Sequence, residues 1–192
     1  ATAPLKVAAR QGGFRAATMP GFLPSMIPAL RLDYEEIDRR VHLLKDLCDA
    51  SEQAVIVTET DHGRHELVLD LRHRRGHASG GLFPRNGVAG NLPSGEAYIV
   101  PYEGEHAGQP SRSAGTLPVQ LGEEVALLTV EANRVTGVSG DGPEVAAERE
   151  HFEREPAYRN LAELGLGVLG DFGLQPTGSI LLDEKLGLHV AF

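Results

Sequence analysis

Cysteine is almost absent from this chain of 192 residues, since Cys48 is the only one. A single cysteine excludes an intrachain disulfide framework and a cluster of thiolate ligands. Any metal ion must therefore be held by histidine and carboxylate side chains. The chain also lacks an apolar run of the roughly 18 to 20 residues that a membrane span needs, and its start lacks the charged-then-apolar order of a signal peptide. We expect a soluble cytoplasmic protein that does not bind membranes.

Positive charge is also scarce, with 18 lysines and arginines against 27 acidic residues and a net charge of −9. The cationic residues are scattered rather than gathered on one face, which argues against a nucleic-acid partner. Hydrophobic residues make up 41% of the chain and charged residues 23%, the usage of an ordinary globular protein. The length allows one large or two small domains.

The pattern of apolar residues predicts an α+β fold, in which a mixed sheet carries flanking helices. Asp33 is the predicted N-cap of a helix whose apolar residues recur at helical spacing. Residues 102–116 are predicted to form a flexible loop. Strands are predicted at 54–59, 65–72, 97–101 and on both sides of Ala132-Asn133, a helix from 143 to 167, and a short helix followed by a strand in 178–192.

Three polar residues stand out because each occupies an apolar or sharply turned segment. Glu96 opens a predicted strand directly after a segment rich in Gly, Pro and Ser, and Glu163 is the lone charge of an apolar, glycine-rich stretch. His189 lies inside an apolar strand. Each has an ordinary interpretation, namely a solvated turn acid for a glutamate or a core histidine bonded to a backbone carbonyl. One shared Zn²⁺, Co²⁺ or Mn²⁺ site would explain all three.

A segment from 72 to 90 is basic, rich in glycine and long for a connection, so it is either mobile or functional. The histidines in and before it have no acidic partner at ligand spacing, and we interpret them as surface residues. They are His62, His65, His73 and His77.

Four segments resemble the thermophilic metallo-aminopeptidases of the aminopeptidase T and aminopeptidase S type, together with their leucyl-aminopeptidase relatives. The segments are GFRAATMPG, GNLPSGEAYIVPYEGE, NLAELGLG and LDEKLGLHVAF. The resemblance runs from about residue 6 to the end. It implies that Glu96 of the NLPSGE motif, Glu163, and His189 after the Asp183-Glu184 pair are metal ligands.

The resemblance further implies a homodimer that hydrolyses N-terminal residues from peptides through water activated by two divalent ions, Zn, Co or Mn. It names neither the general base nor the proton donor. It also implies that the chain is a fragment. Residues 1–52 would be the C-terminal remnant of an N-terminal α/β domain, and 53–192 a C-terminally incomplete metal-binding domain whose remaining ligands lie beyond Phe192. Whether this length is active stays open.

Two other functions remain open at this point. The same fold family resembles a mononuclear Fe(II) ring-cleaving dioxygenase of the dihydroxypyridine type, which would hold one iron with positions open for O₂. The third possibility is a non-catalytic interaction module, which predicts no metal affinity and a role for the basic residues 72–77.

Overall fold

The structure is a computed structural model that describes residues 2–61 and 63–192. Its helices are α1 (Thr2–Gly12), α2 (Tyr34–Ala50), α3 (Pro143–Arg154) and α4 (Ile180–Asp183), and 3-10 turns cover Pro24–Arg31, Pro156–Arg159 and Leu169–Phe172. Its strands are β1 (Ala16–Thr18), β2 (Gln53–Thr60), β3 (Gly63–Asp70), β4 (His77–Ser79), β5 (Ala89–Asn91), β6 (Glu96–Ile99), β7 (Ala114–Leu121), β8 (Glu124–Glu131), β9 (Arg134–Ser139), β10 (Glu163–Gly167) and β11 (Leu188–Ala191). Helices account for 31% and strands for 32%, so the predicted α+β class is confirmed.

The strands form three sheets. β1 and β5 make a two-stranded parallel sheet. β11, β10, β6 and β4 follow one another in a four-stranded sheet, whose β6 pairs antiparallel with both β10 and β4. The order β2-β3-β7-β8-β9 describes a five-stranded sheet that is antiparallel throughout. None of the described helices has both the length and the apolar character to cross a bilayer.

The chain folds into two compact units, and each is discontinuous in sequence. The first unit comprises Ala1–Asp49, Gly76–Ile99 and Leu164–His189, and the second Ala50–Arg75, Val100–Glu163 and Val190–Phe192. The predicted division into residues 1–52 and 53–192 refers to a longer protein, and it stays a prediction.

The core of the first unit forms where α2 packs its apolar stripe. Asp33 caps this helix as predicted, because its Oδ1 accepts hydrogen bonds from the backbone N–H groups of Glu35 and Glu36, at 3.0 and 3.2 Å. Ile37 and Val41 of α2 are fully buried. They belong to a cluster that also contains Met26, Ala29, Ala97, Val168, Leu169, Leu181 and Leu182. Truncating a buried leucine of such a cluster to alanine typically costs about 2–5 kcal/mol.

The second unit is organised around hairpins. The predicted strands on either side of residue 62 pair in register from Gln53↔Asp70 to Thr60↔Gly63. His62 itself lies outside the described residues. The predicted turn between β8 and β9 is also present, with positive φ angles of 47° at Ala132 and 69° at Asn133, the pattern of a tight hairpin turn.

Two predicted elements differ from the structure. The loop predicted for 102–116 overlaps the start of β7, which contains Gly115 and Pro118, two residue types that weaken a strand pattern. The predicted helix from 143 ends at Arg154, and the glycine-rich stretch after it forms β10 rather than more helix. Glycine has a low helix propensity, and the backbone of β10 pairs with β6 instead.

Candidate metal centre

The turn before β6 explains how Glu96 is placed. The Leu92–Pro93 peptide bond is cis, and Gly95 has a φ angle of 154°. A side chain at Gly95 would collide with Leu169, the first neighbour that a Cβ atom would meet there at 2.6 Å. The turn ends with the backbone N–H of Val168 donating to the carbonyl of Gly95 at 2.9 Å. The backbone at the start of β6 is therefore held in place, and this fixes where the Glu96 side chain begins. Glu96 is only 6% exposed.

Strand alternation decides which face of the sheet Glu96 occupies. Ala97 and Ile99 are fully buried, and Ala97 belongs to the core cluster. Because successive side chains of a strand point to opposite faces, Glu96 and Tyr98 share the other face. The register places Gly167 opposite Glu96 and Gly165 opposite Tyr98.

The two glycines of β10 clear space on this face. A Cβ atom at Gly165 would overlap the imidazole of His189, and one at Gly167 would overlap the backbone of Lys185. The backbone of Lys185 can therefore approach Gly167 closely, and the imidazole of His189 can lie over Gly165. This close approach is the reason why an apolar strand contains glycine at alternate positions.

Lys185 brings a buried ammonium group into contact with two carboxylates. Its side chain is 1% exposed, and its Nζ lies 2.7 Å from Oε1 of Glu96. The same Nζ donates to Oε1 of Glu184. The backbone of Lys185 is held as well, because its N–H donates to Leu182 and its carbonyl accepts from Leu169, both at 2.8 Å.

His189 completes the cluster from β11. Its Nε2 lies 3.8 Å from Oε2 of Glu96, and its Nδ1 lies 3.4 Å from the carbonyl oxygen of Gly187. Ligand atoms of Glu96, Glu184 and His189 all lie within 4.8 Å of one another. Two carboxylates and one imidazole form a donor set that suits Zn²⁺, Co²⁺ or Mn²⁺, whose ligand distances are about 2.0 to 2.2 Å in the case of zinc.

The charges of this cluster do not cancel. Glu96 and Glu184 carry two negative charges as carboxylates, and the Lys185 ammonium carries one positive charge. The formal sum is therefore −1 when the imidazole is neutral. A site with surplus negative charge, low exposure and an imidazole donor fits a cation. The residues present thus fit a divalent ion.

The structure brings together Glu96 and His189, two of the three residues that the sequence pattern selected, and adds Glu184. Glu163 is the first residue of β10 and is half-buried, but it belongs to the second compact unit. Its assignment as a ligand stays a prediction. The run Asp183-Glu184-Lys185 between apolar residues was the available signal for Glu184 and Lys185, and sequence reasoning used it only as a mark of resemblance.

Asp183 has a different role from its neighbour Glu184. Its Oδ1 accepts from the backbone N–H and the hydroxyl of Thr177, at 2.7 and 3.1 Å, and its Oδ2 accepts from the N–H of Gly178 at 2.8 Å. These bonds fix the loop that precedes α4. Asp183 therefore holds the backbone, and Glu184 faces the candidate centre.

A cavity of about 140 Å³ lies in the same unit. Its lining includes Lys6, Ser79, Gly81, Asn91, Ser94 and Tyr98. The hydroxyl of Ser94, a residue that is 1% exposed, donates to the carbonyl of Ser79 at 2.7 Å, and the two serine hydroxyl oxygens are 2.7 Å apart. Ser79 pairs with Glu96 in the register of β4 and β6. The cavity thus shares its strands with the candidate metal centre.

The histidines of the basic region pack against aromatic rings. His77 stacks on Tyr98 with ring centroids 4.9 Å apart. In the second unit, His73 and His106 lie 4.8 Å apart and both contact the ring of Tyr102. Within residues 2–61 and 63–192, the only group of three or more possible metal ligands is the one formed by Glu96, Glu184 and His189.

Comparisons with known proteins place the fold. Neither the protein-family models nor the curated proteins contain a match to this chain. Among solved structures, 2,5-dihydroxypyridine dioxygenase from Pseudomonas putida KT2440 matches with a TM-score of 0.66 and 20% identity, over 97% of this chain and 51% of that one. AmpT, an aminopeptidase T from Thermus thermophilus, matches with a TM-score of 0.57 and 18% identity, over 82% of this chain and 40% of that one.

At these identities the similarity shows a shared fold and no more. One of the two solved proteins is an aminopeptidase T, the type of protein that the sequence motifs resemble. This chain spans about half or less of the length of both solved proteins. Any activity of the whole protein is therefore a matter for proposal.

Proposed function

We propose that this chain is the metal-binding part of a divalent-metal-dependent hydrolase that removes N-terminal residues from peptides. The observation that carries the proposal is the cluster of Glu96, Glu184 and His189, with ligand atoms within 4.8 Å of one another. The fold shared with an aminopeptidase supports it.

The donor set favours hydrolysis over oxygen chemistry. Zinc hydrolases combine histidine with carboxylate ligands and keep a position open, whereas many non-haem iron oxygenases use two histidines and one carboxylate. The cluster has two carboxylates and one histidine. A divalent ion bound there would polarise a carbonyl group and lower the pKa of a bound water.

Residues of this chain would bind the ion, orient its ligands and hold the substrate. Glu96, Glu184 and His189 would hold the ion, and Lys185 would orient the two carboxylates through its contacts with one oxygen of each. The cavity beside Tyr98 would receive the first side chain of the peptide. Its volume is about 140 Å³, close to that of a cavity that holds benzene, about 150 Å³, so it has room for a side chain of moderate size.

The test combines metal content with turnover. The chain is dialysed free of metal, returned to Zn²⁺, Co²⁺ or Mn²⁺, and assayed for bound metal by plasma mass spectrometry and for release of p-nitroaniline from leucyl-p-nitroanilide. We expect stoichiometric metal and metal-dependent hydrolysis. Glu96→Gln, which keeps the shape of the side chain and removes its charge, should lose both. Metal binding without hydrolysis of any N-terminal anilide would contradict the peptidase assignment.

A ring-cleaving dioxygenase is the second candidate, because the fold similarity to the dihydroxypyridine enzyme extends over 97% of this chain. Loading with Fe²⁺ under nitrogen, followed by 2,5-dihydroxypyridine and O₂, distinguishes the two. Loss of the substrate's ultraviolet absorption together with O₂ consumption would favour this candidate. The absence of bound metal under every condition would instead favour an interaction module. The peptide substrate and the homodimer remain predictions.

A further inference from the structure

A groove in the second compact unit is lined by β9, by α3 and by the 3-10 turn Pro156–Arg159. It consists of two cavities of about 400 and 250 Å³, and four residues line both of them, namely Val135, Thr136, Glu153 and Arg159. The larger cavity falls within the range of about 300–1,000 Å³ that is usual for small-molecule sites. The groove shares no residue with the candidate metal centre.

The groove gathers positive charge in an acidic chain. Arg134 lines the larger cavity, Arg149 the smaller one, and Arg159 both. Glu153 is the one acidic residue of the lining. Three positive charges and one negative charge leave a formal surplus of +2, whereas the whole chain carries −9. A concave surface with a charge of one sign concentrates ligands of the opposite sign.

The backbone holds these arginines in place. Nε of Arg149 donates to the carbonyl of Val138 at 3.2 Å, and Nε of Arg159 donates to the carbonyl of Phe152 at 2.8 Å. Within the part of the chain that the structure describes, the terminal nitrogens of Arg149 and Arg159 make no hydrogen bond. Those two nitrogens form the fork with which a guanidinium group binds phosphate or carboxylate.

Other arginines of the same unit already have an anionic partner. Arg64, Arg72 and Arg74 lie 3.2, 2.7 and 2.8 Å from carboxylate oxygens. Among the described residues, by contrast, none of the three groove arginines forms an ion pair with a carboxylate, although Glu153 lines both cavities. The groove therefore has donors and charge to offer to an anion from outside.

The groove also has an apolar wall. Val135 and Phe152 are 3% and 4% exposed and line the smaller cavity, and Val135 and Pro156 line the larger one. Small-molecule sites typically combine such apolar surface with a few polar groups that fix the orientation of the ligand. A ligand with an anionic group and an apolar body fits both parts of the lining.

We propose that this groove binds an organic phosphate. The arginines hold the phosphate group, and the apolar body of the ligand lies against Val135, Phe152 and Pro156. A phosphate ester carries a charge of about −1.5 to −2 at pH 7, which balances the surplus of the lining. Its three terminal oxygens can accept from more than one guanidinium fork, and this favours phosphate over a single carboxylate.

The experiment is isothermal titration calorimetry of the chain with phenyl phosphate. A chelator keeps the protein free of metal ions, so that no phosphate binds through a metal. We expect saturable binding of one equivalent, which weakens when NaCl is raised to about 0.5 M. Inorganic phosphate, which lacks the apolar body, and benzoate, which carries a single charge, should both bind more weakly.

Substitutions in the lining locate the bound phosphate. Arg159→Gln and Arg149→Gln should each weaken binding about tenfold, because each removes a charged donor. Glu153→Gln removes the one repelling charge and should tighten binding by about two- to fivefold. Arg154→Gln is the matched control, since Arg154 is an exposed arginine of α3 that lines neither cavity. Its affinity should equal that of the unaltered chain.

Four results would overturn the proposal. They are the absence of saturable heat up to about 10 mM phenyl phosphate, an unchanged affinity in both groove variants, a loss in Arg154→Gln as large as theirs, and benzoate binding as tight as that of phenyl phosphate. Circular dichroism checks the fold of each variant. If Arg159→Gln fails to fold because its bond to Phe152 is lost, the exposed Arg149 still decides the outcome.

Discussion

Two compact units of the molecule each bury an acidic side chain against a basic one. In the second unit, Asp70 is 1% exposed and faces Arg72, with the guanidinium Nε and a terminal nitrogen 2.9 and 2.7 Å from its two oxygens. Asp70 also accepts from the backbone N–H groups of Arg72 and Arg112, at 3.1 and 2.9 Å. In the first unit, Glu96 faces Lys185 and His189.

The two groups differ in whether their formal charges cancel. Asp70 and Arg72 cancel in charge, and the remaining acceptor capacity of Asp70 is taken by backbone N–H groups. The cluster around Lys185 contains two carboxylates for one ammonium, with an imidazole beside them. A buried pair whose charges cancel and whose acceptors are filled contributes to structure. A buried cluster with surplus negative charge is prepared for a cation, so charge balance separates the structural pair from the candidate functional one.

The largest expected effect on folding comes from breaking the pair in the second unit. Asp70→Ala would leave the guanidinium of Arg72 and two backbone N–H groups without their acceptor, and we expect the free energy of unfolding to fall by about 3 kcal/mol. Urea denaturation followed by circular dichroism measures this loss. Glu66→Ala is the control, because Glu66 lies on the same strand at 46% side-chain exposure and pairs with Arg64 at 3.2 Å. Its change should stay within about 0.5 kcal/mol. Equal losses in both variants would contradict the structural role of Asp70.

Breaking the pair in the first unit should affect metal binding more than folding. Glu96→Gln removes one negative charge and one ligand, while Glu184 still partners Lys185, so we expect metal affinity to fall by more than about 100-fold with a smaller loss of stability than in Asp70→Ala. Competition with a chromogenic chelator measures the affinity. A variant with unchanged metal affinity would remove Glu96 from the ligand set.

Glu163→Gln addresses the residue whose assignment is still a prediction. If Glu163 is a ligand, as the resemblance implies, its substitution should weaken metal binding to an extent comparable with Glu96→Gln. If the centre consists of Glu96, Glu184 and His189 alone, Glu163→Gln should bind metal as the unaltered chain does, while Glu184→Gln should not. The same chelator competition distinguishes these two results.

A smaller effect should follow from moving His189 without removing it. Gly165→Ala places a Cβ atom in the volume of the imidazole, so the ring must shift, and we expect about a tenfold loss of metal affinity, comparable to the loss of an orienting contact. Gly187→Ala is the control, because no atom lies within 4 Å of the position that its Cβ would take. Equal affinities in the two variants would show that the position of the imidazole does not matter for binding.

The first unit also shows how far the sequence could predict the site. Glu96 and His189 were predicted because a lone polar residue in an apolar strand needs a partner, and that physical rule acts locally. Glu184 and Lys185 follow a short helix in a charged run, where such residues are usually solvated. The ammonium of Lys185 is nevertheless buried, and its backbone lies against Gly167, a residue distant in the sequence. Local patterns can predict that a residue needs a partner, but the partner is chosen by tertiary packing.

The secondary structure shows the same difference between local signals and tertiary packing. The N-cap at Asp33 and the hairpin turn at Ala132-Asn133 depend on a few adjacent residues, and both were predicted. The strand β7 was missed, because Gly115 and Pro118 are unfavourable in an isolated strand. Its pairing with β3 and β8 provides partners that the local sequence does not reveal. The antiparallel ladder therefore outweighs the local preference of these residues.

The smallest expected effect is on stability in acid, and it tests the structural role of Asp70. Burial raises the pKa of Asp70, but hydrogen bonds from the side chain of Arg72 and from backbone N–H groups outweigh it, so that the pKa lies below its usual value. The unfolded chain, with an ordinary aspartate pKa of about 3.9, then binds more protons than the folded chain in this range. Stability from this group is therefore complete above about pH 5 and is lost as the pH falls through the unfolded and then the lowered folded pKa. Urea midpoints measured from pH 5 down to pH 2.5 should fall less steeply in Asp70→Asn than in the unaltered chain.

Glu36 contributes with the same sign, since hydrogen bonds from Arg39 and Arg40 lower its pKa to about 2. The comparison is therefore made in a Glu36→Gln background, where the remaining difference belongs to Asp70. Identical slopes with and without Asp70 would mean that its hydrogen bonds add no preference for the charged form in the folded chain. The charge-balanced pair would then have no greater claim to a structural role than an exposed one.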